Sequence, residues 1–468
     1  MHNIYCFIIL VFITHYEKLR IMKNYALAYI VLFGLLSCSK EASPNVEVEE
    51  DAVFVDQGTS LYADNNTLND VLFQAFWWDS FNDPKIGGYA SFYAFLEDQI
   101  VALSNAHIDG IWMPPSSEGE GMGYHPRKLF DFNSLHGNKN ELVSLLALMK
   151  SRKMHGMADL VINHRVGTDT WNDFTEPAWS CDAICMDDEG FTNPNAFGLV
   201  PCGDFDEGEG WGGARDLNHK SEEVQLGIKA YLAQLKALGF DSWRYDFVKG
   251  FPAKYVGEYN ASTPYYLSVG EYWDGNPNAL RSWIDKTSET LSENDTPKAA
   301  AFDFSIKYKL AEAVVQKKYS VLQANPSLAA IAGYGEKSIT FLDNHDTGCI
   351  NRNDCDNVFS KNTSELIQGY AYLLTHPGIP MVWGYHYFFS DSFGSLQKEI
   401  NALIAIRKAF GVNANSKVVV VEAKDGASGY YVAQIDENLL VKIGSGAYVP
   451  DSQWKETRKA LAYAVWEK

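Results

Sequence analysis

Four short segments of the 468-residue chain end an apolar run on groups able to do chemistry. They are DLVINHR (159–165), GFDSWRYDFVKG (239–250), VGEYWD (269–274) and FLDNHDT (341–347). Carboxylates gathered in this way can divide two tasks, one staying neutral to donate a proton and the other ionised to attack. Neighbouring negative charge raises the donor's pKa, and a nearby cation favours the ionised partner. Arg244 stands two residues before Asp246, hence on the same side of an extended strand, where it favours the ionised form of that carboxylate. One such carboxylate at a strand end is usually a cap or a turn. Four in series on a repeating rhythm point to a shared site.

The rhythm that must position them runs from 70 to 390. Apolar runs recur at 71–76, 110–113, 157–163, 239–246, 266–271, 299–304, 338–342 and 379–383, with amphipathic stretches such as 141–152 and 222–238 between them. Continuous apolar strands alternating with helices predict a parallel sheet covered on both faces. Eight such units predict an α/β fold, a (β/α)8 TIM barrel whose strand C-termini carry the chemistry. A doubly wound open sheet is the alternative, but no GxGxxG opens a helix. Between the third and fourth strands, 164–216 is rich in Gly, Asp, Asn, Pro and Cys and predicts an inserted loop-rich domain. A helix at 396–410 and alternating strands at 417–422, 429–435 and 439–443 predict a C-terminal antiparallel β domain. The expected organisation is a 1–38 signal region, a 39–69 tether, a 70–393 barrel with its insert, and a 394–468 β domain.

Lys and Arg number 39 against 59 Asp and Glu, a net charge of −20, which repels phosphate backbones and argues against nucleic-acid binding. Neutral ligands fit better, and 12 Trp with 26 Tyr suit stacking on sugar faces. Residues 22–38, MKNYALAYIVLFGLLSC, have a charged start, a short apolar run and small residues at the end, the pattern of a secretory signal. Leu-Leu-Ser-Cys resembles a bacterial lipobox, which implies cleavage before Cys38, lipid on its thiol and Met22 as the start. The expected location is outside the cytoplasm, lipid-anchored to a bacterial, outer, membrane, or secreted. Disulfides are permitted there. Cys349 and Cys355 can close a short loop, and two of Cys181, Cys185 and Cys202 can pair; a zinc site lacks its CxxC pair.

The four segments resemble, in order, the signature regions of glycoside hydrolase family 13, the α-amylase family, and most closely its plant-type members. LFQAFWWDS, THPGIP and a terminal YAVWEK extend the resemblance over residues 70–468. It implies that Asp246 is the nucleophile, Glu271 the general acid/base and Asp346 a third carboxylate stabilising the transition state. It implies that His164, His345 and Arg244 grip the sugar at the cleavage point, that Tyr124 in GYHP lies beneath it, and that Lys249 contacts the next sugar. Glycoside cleavage passes through an oxocarbenium-like state, and retaining enzymes hold the two carboxylates roughly 5–5.5 Å apart.

The resemblance also implies a structural Ca²⁺ on Asn163, Asp216 and the Gly250 carbonyl, with Asp187 serving a further ion. Hard oxygen donors suit that metal. Between 187 and 215 the sequence departs from the plant pattern. Trp273 is the strongest aromatic candidate for the cleft, followed by Trp77, Trp78, Trp171, Trp179 and Trp211. The implied activity is endo-hydrolysis of α-1,4 bonds in starch, glycogen or maltooligosaccharides by a monomer. The alternatives are a maltooligosaccharide-releasing or transglycosylating relative, or a non-catalytic starch-binding lipoprotein that feeds an uptake system.

Overall fold

A computed structural model describes residues 67–170, 173–188, 200–291, 298–348, 358–389, 396–460 and 462–468. The signal and tether, Cys38, Cys349, Cys355 and Trp171 lie outside the described residues. The eight apolar runs form eight strands: β1 (Leu72–Gln74), β2 (Gly110–Trp112), β3 (His155–Leu160), β4 (Ser242–Tyr245), β5 (Leu267–Gly270), β6 (Ala300–Phe302), β7 (Ser338–Thr340) and β8 (Ile379–Trp383). All pair in parallel with their sequence neighbours, and β1 also pairs with β8, so the sheet closes into a barrel. Most strands are buried along their whole length, as strands covered on both faces must be.

Among the described residues the longer helices that follow the strands are α1 (Phe92–Asn105), α2 (Lys139–Ser151), α3 (Glu222–Leu238), α4 (Ala253–Ser262), α5 (Pro277–Lys286), α6 (Phe304–Val315), α7 (Thr363–Thr375) and α8 (Leu396–Ala409), with a short helical turn at Gly384–Phe388 between β8 and α8. Local chemistry fixes several of their starts. Asn138 and Glu141 form a reciprocal capping box on α2, and Asn276 caps α5 with Pro277 in its first turn. In α2 the buried residues Leu142, Leu145, Leu146 and Met149 recur at helical spacing and face the barrel.

The insert after β3 is pinned where it leaves and re-enters the barrel. His164–Arg165 pairs antiparallel with Arg215–Asp216, placing His164 opposite Asp216. Inside it Cys181 and Cys202 form a disulfide, and Cys185 is a buried free thiol. After α8, five antiparallel strands form one sheet: β9 (Val418–Lys424), β10 (Tyr430–Ile435), β11 (Leu439–Ile443), β12 (Lys455–Ala460) and β13 (Tyr463–Glu467). Tyr431, Ala433, Leu439, Val441 and Val465 join the barrel's core, and alternate residues Tyr430, Val432, Leu440 and Trp466 make a small cluster on the other face.

Candidate active site

The C-terminal ends of the strands open on a cleft of about 420 Å³ whose lining includes Tyr124, His164, Asp246, Glu271, Trp273, His345 and Asp346. Each lies just beyond a strand or on the loop that follows one, where a barrel presents its chemistry.

Arg244 is the hub. It is fully buried on β4, and its Nη1 donates to Asp246 Oδ1 and to Asp159 Oδ1, both at 2.7 Å. Its Nη2 lies 2.8 Å from Glu271 Oε2. Three carboxylates therefore share one guanidinium, which sits over the Trp112 ring at 4.7 Å. Glu271 follows β5; its backbone N–H bonds Tyr245 and its Oε2 accepts the Phe247 N–H at 3.3 Å. Burial, then the charges of Asp246 and Asp346, push its pKa well above the ordinary value against the opposing pull of Arg244. Its other oxygen, Oε1, is buried without a protein hydrogen bond, leaving it to meet an incoming oxygen atom.

The remaining groups fix this set in place. The Tyr124 hydroxyl donates to Asp159 Oδ2 at 2.7 Å, and its ring stacks on His345 with centroids 5.0 Å apart. Burial keeps His345 neutral. The Gln74 amide donates to its Nδ1 at 3.0 Å, which leaves the proton on Nε2, 3.2 Å from Asp346 Oδ2. His164 donates from Nε2 to the Tyr124 carbonyl at 2.8 Å, and the Asn163 amide lies 3.3 Å from its Nδ1.

Comparisons with known proteins meet this geometry. A family model described as an α-amylase C-terminal β-sheet domain matches residues 409–467. A probable α-amylase 2 of Arabidopsis thaliana is 31% identical over 417 residues, covering 85% of this chain and 94% of that protein. This chain belongs to the α-amylase family. A chloroplastic α-amylase 3 of the same plant is 29% identical over 457 residues, covering 92% of this chain and 47% of its own length. The solved α-amylase of Malbranchea cinnamomea matches the fold with a TM-score of 0.64 at 15% identity, covering 85% of this chain and 96% of the other. The protein is a glycoside hydrolase of the α-amylase type.

In this hydrolase the aromatic candidates divide. Trp78, Trp211 and Trp273 line the cleft. Trp77 is buried among Phe92, Tyr385 and Phe389, and Trp179 packs with Phe174 over Arg165. Lys249 stands at the margin rather than in the lining, 3.6 Å from Glu209 and over the Tyr272 ring. Asp159, Trp112 and Gln74 complete the hydrogen-bonded set and were given no role by sequence reasoning. Asp159 opens the DLVINHR segment, and that was its only signal.

The expected calcium ligands converge beside the insert's two-residue ribbon. Asn163 Nδ2 lies 3.4 Å from Asp216 Oδ1, and a Cβ on Gly250 would fall 1.8 Å from Asn163 Oδ1, so only glycine admits that amide. Among the described residues no three His, Cys, Asp or Glu side chains are placed to hold a metal ion together; this set is one carboxylate, one amide and a backbone carbonyl. Asp187 is exposed and accepts the Asp206 N–H at 2.9 Å. Its neighbour Asp188 is the buried one, paired with Arg215 and accepting the Asp216 N–H.

Proposed function

We propose that this chain is an endo-acting α-amylase that hydrolyses α-1,4-glucosidic bonds of starch, glycogen or maltooligosaccharides with retention of configuration. The observation that carries the reading is Arg244 bonding Asp246 and Glu271 at once, two carboxylates held close together at the floor of an open cleft. Closely spaced carboxylates suit double displacement rather than attack by a water between them. Glu271, protonated because it is buried among negative charges, donates through Oε1 to the leaving glycosidic oxygen while Asp246 attacks the anomeric carbon. Glu271, now ionised, takes a proton from water, and that water releases the sugar from Asp246. Asp346, fixed against His345, faces the positive charge that develops on the sugar ring. Tyr124, His164, Arg244 and His345 hold the sugar at the cleavage point. Trp273 and Lys249 serve units farther along, Trp273 from a fixed position with its indole N–H bonded to Tyr308.

Asn163, Asp216 and the Gly250 carbonyl suit one Ca²⁺, which would brace the insert against the barrel; Asp187, beside Asp206, would serve a second. The Leu-Leu-Ser-Cys38 run supports a lipid-anchored, extracytoplasmic protein. Among the described residues no helix is long and apolar enough to cross a membrane.

The test follows viscosity and reducing ends together on soluble starch. Viscosity collapsing before many reducing ends appear supports internal cutting. Reducing ends rising at constant viscosity would overturn it in favour of exo attack, and an Asp246→Asn variant with wild-type turnover would overturn the nucleophile assignment.

A further inference from the structure

Within the insert, the strip 208–213 reads GEGWGG, one indole among four glycines. Its ends are held. Glu209 donates its N–H to the Lys249 carbonyl at 3.0 Å, and a Cβ on Gly208 would lie 2.2 Å from the Gly250 carbonyl carbon. Beyond Gly213 the chain enters the ribbon at Arg215–Asp216. Between these anchors Trp211 reaches into the cleft. Its ring stacks on His164 with centroids 4.2 Å apart and 22° between planes, and comes within 5.3 Å of His125. It remains half-exposed, facing a cleft that Trp78 lines beside Tyr124 and His345.

Gly213 explains how the ring stays there. A Cβ at 213 would lie 2.4 Å from the indole. The backbone at 213 is not left-handed, so it is the seat of the ring, not the turn, that requires glycine. A half-exposed indole held by a dedicated glycine seat and presented to a sugar-sized cleft is a recognition surface. Its rigid apolar ring loses little conformational freedom on contact and matches the C–H face of a hexose.

We propose that Trp211 is a specificity-determining residue: it forms the wall against which a glucosyl unit neighbouring the one being cleaved packs, and so selects which bond of an α-glucan chain lies over Glu271. The inference rests on the α-glucan reading above.

The test compares the full-length wild type with Trp211→Ala, Trp211→Phe and Gly213→Ala on maltoheptaose labelled at its reducing end, reading KM, kcat and the position of the cut. Trp211→Ala should raise KM about tenfold, leave kcat within twofold and shift the preferred cut. Trp211→Phe should restore most of the affinity. Gly213→Ala keeps the indole but displaces it, and should behave like Trp211→Ala. Unchanged KM and cut position in Trp211→Ala would overturn the proposal, as would a loss confined to kcat with the cut position kept, which would mean mere support of His164. Where Trp211→Ala unfolds early, Gly213→Ala decides by the same readings. Wild type that leaves starch and maltoheptaose intact overturns the α-glucan reading itself; active wild type with unaffected variants overturns only the role of Trp211.

Discussion

The two ends of the barrel both gather carboxylates, and they treat them in opposite ways. At the N-terminal ends of β1 to β5, Asp70, Asp109 and Asp241 each have a partner. Asp109 takes the Lys408 ammonium at 2.7 Å and the Val71 N–H at 2.8 Å. Asp241 takes His155 at 2.7 Å, and Asp70 takes the Tyr266 hydroxyl at 2.7 Å. His155 and Tyr266 stack at 3.5 Å, closing the network on itself. At the C-terminal ends, Asp159, Asp246 and Glu271 crowd one guanidinium, Asp346 stands nearby, and a cleft opens over them. One end spreads its charges among partners. The other leaves an excess of negative charge facing a space sized for a ligand, and burial, reinforced by that excess, keeps Glu271 protonated.

The sharpest way to break this contrast is Glu271→Gln. Loss of the proton donor should cut kcat by about 10³-fold. The sign for stability runs the other way. A carboxyl whose folded pKa is raised stabilises the fold while protonated and loses that contribution as pH rises through the raised value. Glu271→Gln should therefore resist alkaline unfolding better than wild type, and wild-type activity should decline with rising pH through the same group. A variant that keeps its turnover, read in a kcat–pH profile, would dissolve the distinction between the two ends.

Asp159→Asn comes next. Asp159 accepts from Arg244, Tyr124 and Trp112 Nε1, so an amide there must turn a donor toward another donor. We expect a loss of about 3 kcal/mol, shared between kcat/KM and the unfolding free energy, because buried polar groups lose their partners. Chelation should act at the same end. With calcium at about 100 times Kd, its removal should lower stability by about 2.7 kcal/mol, seen as a fall in Tm. An unchanged Tm in excess EDTA, with no calcium by elemental analysis, would remove the metal.

The smallest effect is expected at the closed end. Burial holds the Asp70 pKa up at about 6, so its ionised form burdens the fold above that pH. Asp70→Asn keeps an acceptor for Tyr266 and should add about 1–2 kcal/mol at pH 8 and little below pH 4. Activity should not change, and a variant that altered kcat would show that the two ends are coupled.

The eight strands were legible because a strand buried on both faces leaves an unbroken apolar run. Runs 338–342 and 379–383 begin at the residues where β7 and β8 begin. The carboxylates were legible because they sit where such runs stop. Gln74 and Trp112 were not. Each is an unremarkable residue within an early strand, and each meets the site only because closure of the barrel brings β1 and β2 against groups from β4 and the loop after β7. Trp77 and Trp78 show a similar limit, since adjacent residues face opposite ways and the sequence could not say which faced the cleft. Trp211 owes its position to Gly213, a contact that composition does not record.

Barrel closure also sets an order of events. β1 pairs with β2 on one edge and with β8 on the other, Gln74 lying opposite both Trp112 and Trp383. During synthesis β1 must therefore wait, with one edge bare, while some three hundred residues follow it. Closing so long a loop is slow, and an exposed strand edge invites other chains. Until β8 arrives, Gln74 has no closed wall from which to hold His345, and the cleft has no floor. A chain still being made is thus without an assembled cutting site and gains one only when its last barrel strand has emerged.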